Sequence, residues 1–500
     1  MKREVVLLGK AAQEAKEHLL RHYLEGREQE ELCFALWRQS TGSRRKSAII
    51  YQILSPRRTE RSLHGNASFE PHFLSRAIRE AKRQGAGLAF LHSHPTPGWQ
   101  GMSLDDEIAE RDVISYPARV TKHPLVGLTM GRDGYWSARW WEKSGMEVKR
   151  YWCDKVRAVE AKAYEIHSRP DALTRNAWSA RLRRTEDSWG PLFQNGIEAL
   201  NVGVVGVGSV GSIASEAFAR IGVGTLTLID GDRVEEHNLD RLLHGTNSQL
   251  GRRKTDVAAE SLKEHATNAR FVVYPVGTEI HHSTAYRAAL DCDIILSCVD
   301  RPVGRDVLNY IAQAHLIPVI DAGVAVEAYR NPRRFFSAHW RAHIITPEHQ
   351  CLRCTGQYNS GEVVSELDGS LIDPVYIKGL EDSGIRQNMN TFPFALGAAS
   401  MQVNLALRYL LGTTWWPELS RQEYQFTKGV TTRADERCAD GCSFRQLIAT
   451  GDKGNPPYLR WEEHDTGKQS HRLNLKEVGT GLWSKLLRVL LGRDDEVARK

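Results

Sequence analysis

Residues 201–211 read NVGVVGVGSVG, an almost unbroken apolar strand running into Gly206-Val-Gly208-Ser-Val-Gly211. A strand without polar alternation is buried on both faces, the habit of a parallel sheet covered by helices. The glycines allow a tight turn and close backbone approach, and the helix they open favours anionic phosphate at its N-terminus. Further apolar runs recur at regular intervals, TLTLIDGD, FVVYPVG, DIILSCVD and IPVIDAGV, with helical patterns between them. The expectation is an α/β unit over residues 186–450, with ligands bound at the carboxyl ends of its strands.

A lone glycine pattern of this kind serves NAD as well as ATP. The residues downstream of it favour ATP. Asp230 ends the second strand, placed to accept from a ribose hydroxyl. Asn238, Arg241 and Lys254 come next and can meet the phosphates of a triphosphate, a row that a plain NAD site does not need. Asp300 ends the fourth strand, where a carboxylate can hold Mg²⁺. This set resembles the ThiF/MoeB/ubiquitin-activating superfamily. The resemblance implies a Rossmann-like adenylation domain in which Gly206, Gly208 and Gly211 line the loop and Asp230 binds ribose. Asn238, Arg241 and Lys254 then meet the phosphates, and Asp300 holds Mg²⁺. It also implies homodimerisation and an upstream arginine on the nucleotide, with Arg181, Arg183 and Arg184 as candidates. One departure is Asp240, where the family often has asparagine.

Upstream, residues 87–106 read GLAFLHSHPTPGWQGMSLDD. His92 and His94 end an apolar strand and, two residues apart, share a face. Asp106 lies one turn into the next helix, which Ser103 begins. Two imidazoles and a carboxylate suit a catalytic zinc with one open position. The water that such an ion activates needs a base, and Glu31 is the candidate, with Glu30 as the fallback. Ser103 can donate to a tetrahedral oxyanion. His92-Ser-His94 with Ser103-Leu-Asp-Asp106, behind Glu31-Leu-Cys-Phe, resembles the JAMM (JAB) signature. That family cleaves isopeptide or peptide bonds after the C-terminus of ubiquitin or a ubiquitin-like protein. The resemblance implies a metalloprotease-type α/β domain over residues 1–150, joined by a helical connector, 151–185, to the adenylation domain.

Eight cysteines in 500 residues are too few for a disulfide scaffold. Cys351 with Cys354 and Cys438 with Cys442 form two close pairs, which favours a structural zinc site of four thiolates. Between the pairs there is no cysteine, whereas many ubiquitin-activating enzymes carry their thioester cysteine there. The expectation is therefore an enzyme that stops at the adenylate, which the thiol or amine of a partner such as a conjugating enzyme then attacks; the alternative is that one of the remaining cysteines, Cys33, Cys153, Cys292 or Cys298, serves.

Composition excludes other classes. Hydrophobic residues at 41% and charged residues at 26% are ordinary for a globular chain. A formal charge of +6, with the signs mixed, suits an acidic protein partner and does not point to nucleic acid. The apolar run Val5 to Leu8 is too short for a secretion signal or a membrane span, so the chain reads as cytoplasmic. Residues 451–500 read as a polar tail ending in an amphipathic helix, Gly481–Leu491.

Together the two resemblances imply an enzyme that trims or deconjugates a ubiquitin-like protein and adenylates its C-terminal glycine, using ATP, Mg²⁺ and two zinc ions. A bacterial ubiquitin-like conjugation pathway, with antiphage defence among its settings, fits this combination. Sulfur-carrier activation for cofactor synthesis, adenylation of a short peptide, and a non-catalytic scaffold that binds a ubiquitin-like fold are the alternatives. A dehydrogenase fits least.

Overall fold

The computed structural model describes residues 1–145, 147–170, 180–329, 334–372, 389–412, 416–456 and 458–460. The expected tail helix at Gly481–Leu491 lies outside them. The first half of the chain builds the strands β1 (Lys2–Leu8), β2 (Leu32–Thr41), β3 (Arg45–Leu54), β4 (Arg61–His64), β5 (Asn66–Phe69), β6 (Gly87–His94), β7 (Leu125–Gly131), β8 (Trp136–Ser144), β9 (Glu147–Trp152), β10 (Lys155–Val159) and β11 (Tyr164–Ser168). Its helices are α1 (Gly9–Leu24), α2 (Pro71–Gln84) and α3 (Leu104–Thr121). Nine of the strands form one sheet in the order β11-β10-β1-β3-β2-β6-β7-β8-β9, and β4 and β5 form a separate hairpin. Local chemistry sets the helix ends. Pro71 opens α2 with a preset φ, and Gly85 closes it at φ 59° in the left-handed region. Ser103 and Asp106 cap α3 reciprocally.

The second half contains α4 (Arg183–Trp189), α5 (Pro191–Glu198), β12 (Asn201–Val205), α6 (Ser209–Arg220), β13 (Thr225–Ile229), α7 (Lys254–His265), β14 (Val272–Val276), α8 (Ser283–Ala289), β15 (Ile294–Ser297), α9 (Pro302–Ala314), β16 (Val319–Tyr329), β17 (Arg334–Ile345), α10 (Ser360–Leu367), α11 (Phe392–Leu411), β18 (Arg421–Gln425) and β19 (Val430–Ala434). The sheet order is β14-β13-β12-β15-β16-β17-β18-β19. Strands β12 to β16 run parallel, and β17 to β19 continue the sheet antiparallel. The chain moves outward from β12 to β14, then returns to place β15 on the other side. The switch point therefore lies beside β12, and the crevice beyond its carboxyl end is where such sheets bind ligands. The five apolar runs read from the sequence are β12 to β16.

The expected boundary at residue 150 and the helical connector 151–185 are corrected. Residues 147–168 form β9, β10 and β11 of the first sheet, with β10 parallel to β1. Their Ala, Lys, Glu and Arg content favours helix locally, but tertiary pairing overrides so weak a preference. Arg157 can lie fully buried in β10 because Glu4 of β1 pairs with it.

That pair belongs to a cluster joining the two halves. Arg45 Nη1 is 3.1 Å from Glu4 and 2.7 Å from Asp293, and Lys155 Nζ is 2.7 Å from Asp293. Asp293 precedes β15, so one carboxylate ties β3 and β10 to the second sheet. Tyr164 donates to the Asp293 carbonyl at 2.6 Å. Val6, Ile49, Val159 and Tyr164 share a hydrophobic core with Val202, Val204 and Leu296. Among the described residues no helix is long and apolar enough to cross a membrane. Asp293→Ala leaves Lys155 without its counter-charge and Arg45 with Glu4 alone, a loss of about 3–5 kcal/mol. Urea denaturation followed by probes in both halves should show one transition at lower midpoint; a shift confined to one half would refute the shared join.

Candidate functional site

The crevice beside β12 is a cleft of about 780 Å³. Gly206, Gly208, Asp230, Asn238, Arg241, Lys254 and Asp300 all line it. Gly206 holds φ at 86°, and a Cβ there would lie 2.6 Å from the Cys298 carbonyl oxygen. Gly211 is outside the lining; it lets α6 pack on the loop, since a Cβ would lie 1.8 Å from the Gly206 carbonyl oxygen. A Cβ at Gly208 would meet no protein atom, so glycine there leaves the backbone bare at the cleft.

The polar side chains are held by one another. Asp230 accepts from the Val207 N–H at 2.6 Å and the Asp232 N–H at 2.8 Å. Burial pushes its carboxyl above the usual range against the pull of Lys254. Lys254 Nζ is 2.8 Å from Asp232. Arg241 donates to the His237 carbonyl at 2.6 Å and to Asp240 at 2.7 Å. Asn238 accepts from the Glu235 N–H at 3.3 Å, which fixes the turn before Arg241. Asp300 is exposed on the cleft wall just beyond β15. Arg181, Arg183 and Arg184 are not among the cleft-lining residues.

Sequence reasoning missed the floor of the cleft. Asp321, fully buried in β16, accepts from Ser297 Oγ and from Arg341 Nη1, each at 2.6 Å, with Arg305 Nε at 3.9 Å. Arg305 and Arg341 both line the cleft. An acid at the end of the apolar run IPVIDAGV demands a partner, but the β16–β17 hairpin is needed to show which.

The other chemistry lies at the end of β6. His92 Nε2 is 3.2 Å from His94 Nε2 and 3.2 Å from Asp106 Oδ1, and His94 Nε2 is 3.3 Å from Asp106 Oδ2. A tetrahedral ion with bonds of roughly 2.05 Å has ligand edges of about 3.3 Å, and each histidine stands at that spacing from the other and from one oxygen of Asp106. Ser103 accepts from the Asp106 N–H at 3.1 Å, and its own N–H donates to Asp106 at 2.8 Å. Burial pushes His92 below its ordinary value. It also works against ionised Asp106, but the two histidines hold that carboxyl far below the usual range.

Glu31 is a correction. Its carboxylate is completely buried against Arg21, Arg61, His22 and His18. Its backbone pairs with Ser93, not with a histidine. Alternation along a strand puts Glu31 and Ser93 on the face opposite His92 and His94. Glu30 is an acid that feels the charges of the triad. Burial raises its carboxyl, His94 lowers it and Asp106 raises it.

The profile of the ThiF family matches residues 181–441. The chain belongs to the ThiF family. Its similarity to curated members is local. It is 36% identical over 118 residues to the adenylyltransferase and sulfurtransferase UBA4 of Meyerozyma guilliermondii, covering 23% of this chain and 27% of that one. It is 26% identical over 168 residues to the SAMP-activating enzyme E1 of Haloferax volcanii, covering 34% and 57%. The Escherichia coli tRNA threonylcarbamoyladenosine dehydratase is 29% identical over 155 residues, covering 30% and 56%. The chain thus spans between about a quarter and somewhat over half of the length of these relatives. Among solved structures, E. coli MccB with ATP is 21% identical with a TM-score of 0.40, covering 53% of this chain and 74% of that one.

Within this ThiF-family chain, Cys351, Cys354, Cys438 and Cys442 converge with their sulfurs within 4.8 Å of one another. Cys351 Sγ and Cys442 Sγ are 3.7 Å apart. That is far beyond a disulfide bond and close to the edge of about 3.8 Å that four Zn–S bonds of about 2.3 Å require. The Cys351 N–H donates to Cys438 Sγ at 3.1 Å. The donor set fits one structural zinc, which would tie the loop after β17 to the loop after β19. Cys351→Ala should lower zinc content by one ion per chain and cost about 4 kcal/mol or more of stability. Metal analysis with a melting curve checks both, and an unchanged melting curve would count against a structural ion.

Proposed function

We propose that the cleft adenylates the C-terminal glycine of a ubiquitin-like or sulfur-carrier-like protein, using ATP and Mg²⁺. The observation that carries this reading is the convergence of a bare glycine loop, Asp230, Asn238, Arg241, Lys254 and Asp300 on one crevice at the sheet's switch point. A carboxylate oxygen of the glycine bonds to the α-phosphorus of ATP, the bond from that phosphorus to the bridging oxygen breaks, and pyrophosphate leaves. Negative charge gathers on the phosphate oxygens, and Arg241 and Lys254 offset it. Each of these cations rests on an acid, Asp240 or Asp232, and exchanges it for phosphate when the nucleotide enters. Asp300 is the residue to hold Mg²⁺, which supplies further neutralisation of phosphate charge.

Burial pushes the thiols of Cys292 and Cys298 up to about 12, which disfavours either as the nucleophile that takes the adenylate and favours a partner's thiol or amine. Sequence similarity to UBA4 and to the SAMP-activating enzyme supports a ubiquitin-like or sulfur-carrier-like partner. Asp300→Ala should lower ATP–pyrophosphate exchange at least 100-fold, roughly the scale of losing one transition-state charge contact. Exchange supported by a short peptide but not by a folded ubiquitin-like protein would move the substrate to peptides. No exchange with either would leave a binding scaffold.

We further propose that the first half of the chain is a JAMM-type zinc isopeptidase acting on the same C-terminal tail, for which the spacing of His92, His94 and Asp106 is the support. A zinc ion held there supplies Lewis-acid activation of water. Glu30 takes the proton and returns it to the leaving amine. Ser103 lies beside Asp106, where its hydroxyl can donate to the oxyanion. A pathway with isopeptide bonds to undo, such as bacterial ubiquitin-like conjugation, is the setting this pairing favours. Glu30→Gln should reduce cleavage about 100-fold or more while leaving zinc bound. Glu31→Gln should instead lower stability, because Arg21 and Arg61 lose their buried counter-charge. Cleavage assays with metal analysis and melting curves separate the two, and the opposite pattern would restore Glu31 as the base.

A further inference from the structure

We propose that Glu216, His244 and His265 form a further metal site, which takes one divalent ion of the zinc type and clips α6 to α7. The three side chains come from separate places: α6, the segment between β13 and α7, and the last residue of α7. Their ligand atoms lie within 4.8 Å of one another. His265 Nδ1 is 2.9 Å from Glu216 Oε2.

His244 is the third member of the cluster. Its Nε2 is 3.1 Å from the Ser212 carbonyl oxygen. A carbonyl can only accept, so Nε2 carries the proton and Nδ1 presents a lone pair. That lone pair faces Ser261 Oγ at 3.1 Å. A ring N–H given to a backbone carbonyl, which leaves the other nitrogen its lone pair, is how metal-binding histidines are oriented and tuned. Two imidazoles and one carboxylate suit zinc and neighbouring first-row ions, whereas calcium and magnesium take oxygen ligands.

A tetrahedral site with bonds of about 2.1 Å has edges of about 3.4 Å, so an ion draws this set inward. His265, with its side chain 38% exposed, is the member able to move. Arg220 Nε donates to Glu216 Oε1, which leaves Oε2 for the ion. Ser261 Oγ or a water completes the shell. The location gives the clip a use. α6 begins with Ser209 and α7 with Lys254, and both residues line the cleft. An ion here braces the helix behind the glycine loop against the helix that presents Lys254.

The test uses the full chain, depleted of metal by a chelator under folding conditions and titrated with Co²⁺, with bound ions counted by mass spectrometry. Wild type should hold one more ion per chain than either His265→Ala or Glu216→Gln. Measured from its own metal-free melting temperature, each variant should gain less thermal protection from added Zn²⁺ than wild type. Equal ion counts in wild type and both variants would overturn the site, whatever the state of the cysteine cluster and the β6 triad. Glu216→Gln preserves side-chain shape, so it decides the matter if His265→Ala folds poorly.

Discussion

Glu4, Arg45, Lys155, Arg157 and Asp293 meet where water is almost excluded, and the arrangement of both halves depends on their agreement. Taking charges out of water is costly, and such groups are tolerated only when each finds an opposite charge and further hydrogen bonds. Here β1, β3 and β10 contribute from the first sheet, and the residue before β15 contributes from the second. The cluster therefore acts as a register key. Apolar packing of Val6, Ile49 and Val159 on the second half would tolerate small slides, whereas the ion pairs would not. Because Asp293 leads directly into β15, the strand that carries Asp300 to the cleft wall, the join also anchors one side of the candidate nucleotide site.

The two candidate sites are prepared for their ligands in different ways. The triad at the end of β6 is preformed: three donors stand at ligand spacing, and the reciprocal cap of α3 holds Asp106 in place. The cleft holds its cations in reserve, with Lys254 on Asp232 and Arg241 on Asp240. Partly exposed pairs of this kind are weak individually, so a polyanion can displace the acids at small cost. Below them, the floor of the cleft is held by the buried pair of Asp321 and Arg341.

Much of this was legible in the sequence because it rests on short periods. Buried strands β12 to β16 announce themselves as apolar runs, the glycine loop as a spacing, and the two cysteine pairs and the His-x-His step as motifs. What escaped depended on pairing between distant segments. β9 to β11 carry helix-favouring residues, and their strand character comes from β1 and β8, which lie next to them in the sheet whatever the local preference. Glu30 and Glu31 differ by one position, and one position reverses the face of a strand. The register against Ser93 decides between them, and no local pattern records it. Arg341 is twenty residues from Asp321 along the chain, and the hairpin alone brings them together.

The packed join between the halves bears on how the two chemistries would be linked in time. Modules on a flexible linker hand a substrate across by swinging, and their advantage is a high local concentration of one near the other. A shared core with buried ion pairs works against a hinge at the interface, since opening it would part Asp293 from both Arg45 and Lys155. On the proposed pairing of activities, a tail released at the β6 end would reach the cleft by its own motion, since the join supplies none. The coupling between cutting and activation would be one of supply, governed by the pool of freed tails rather than by a channel.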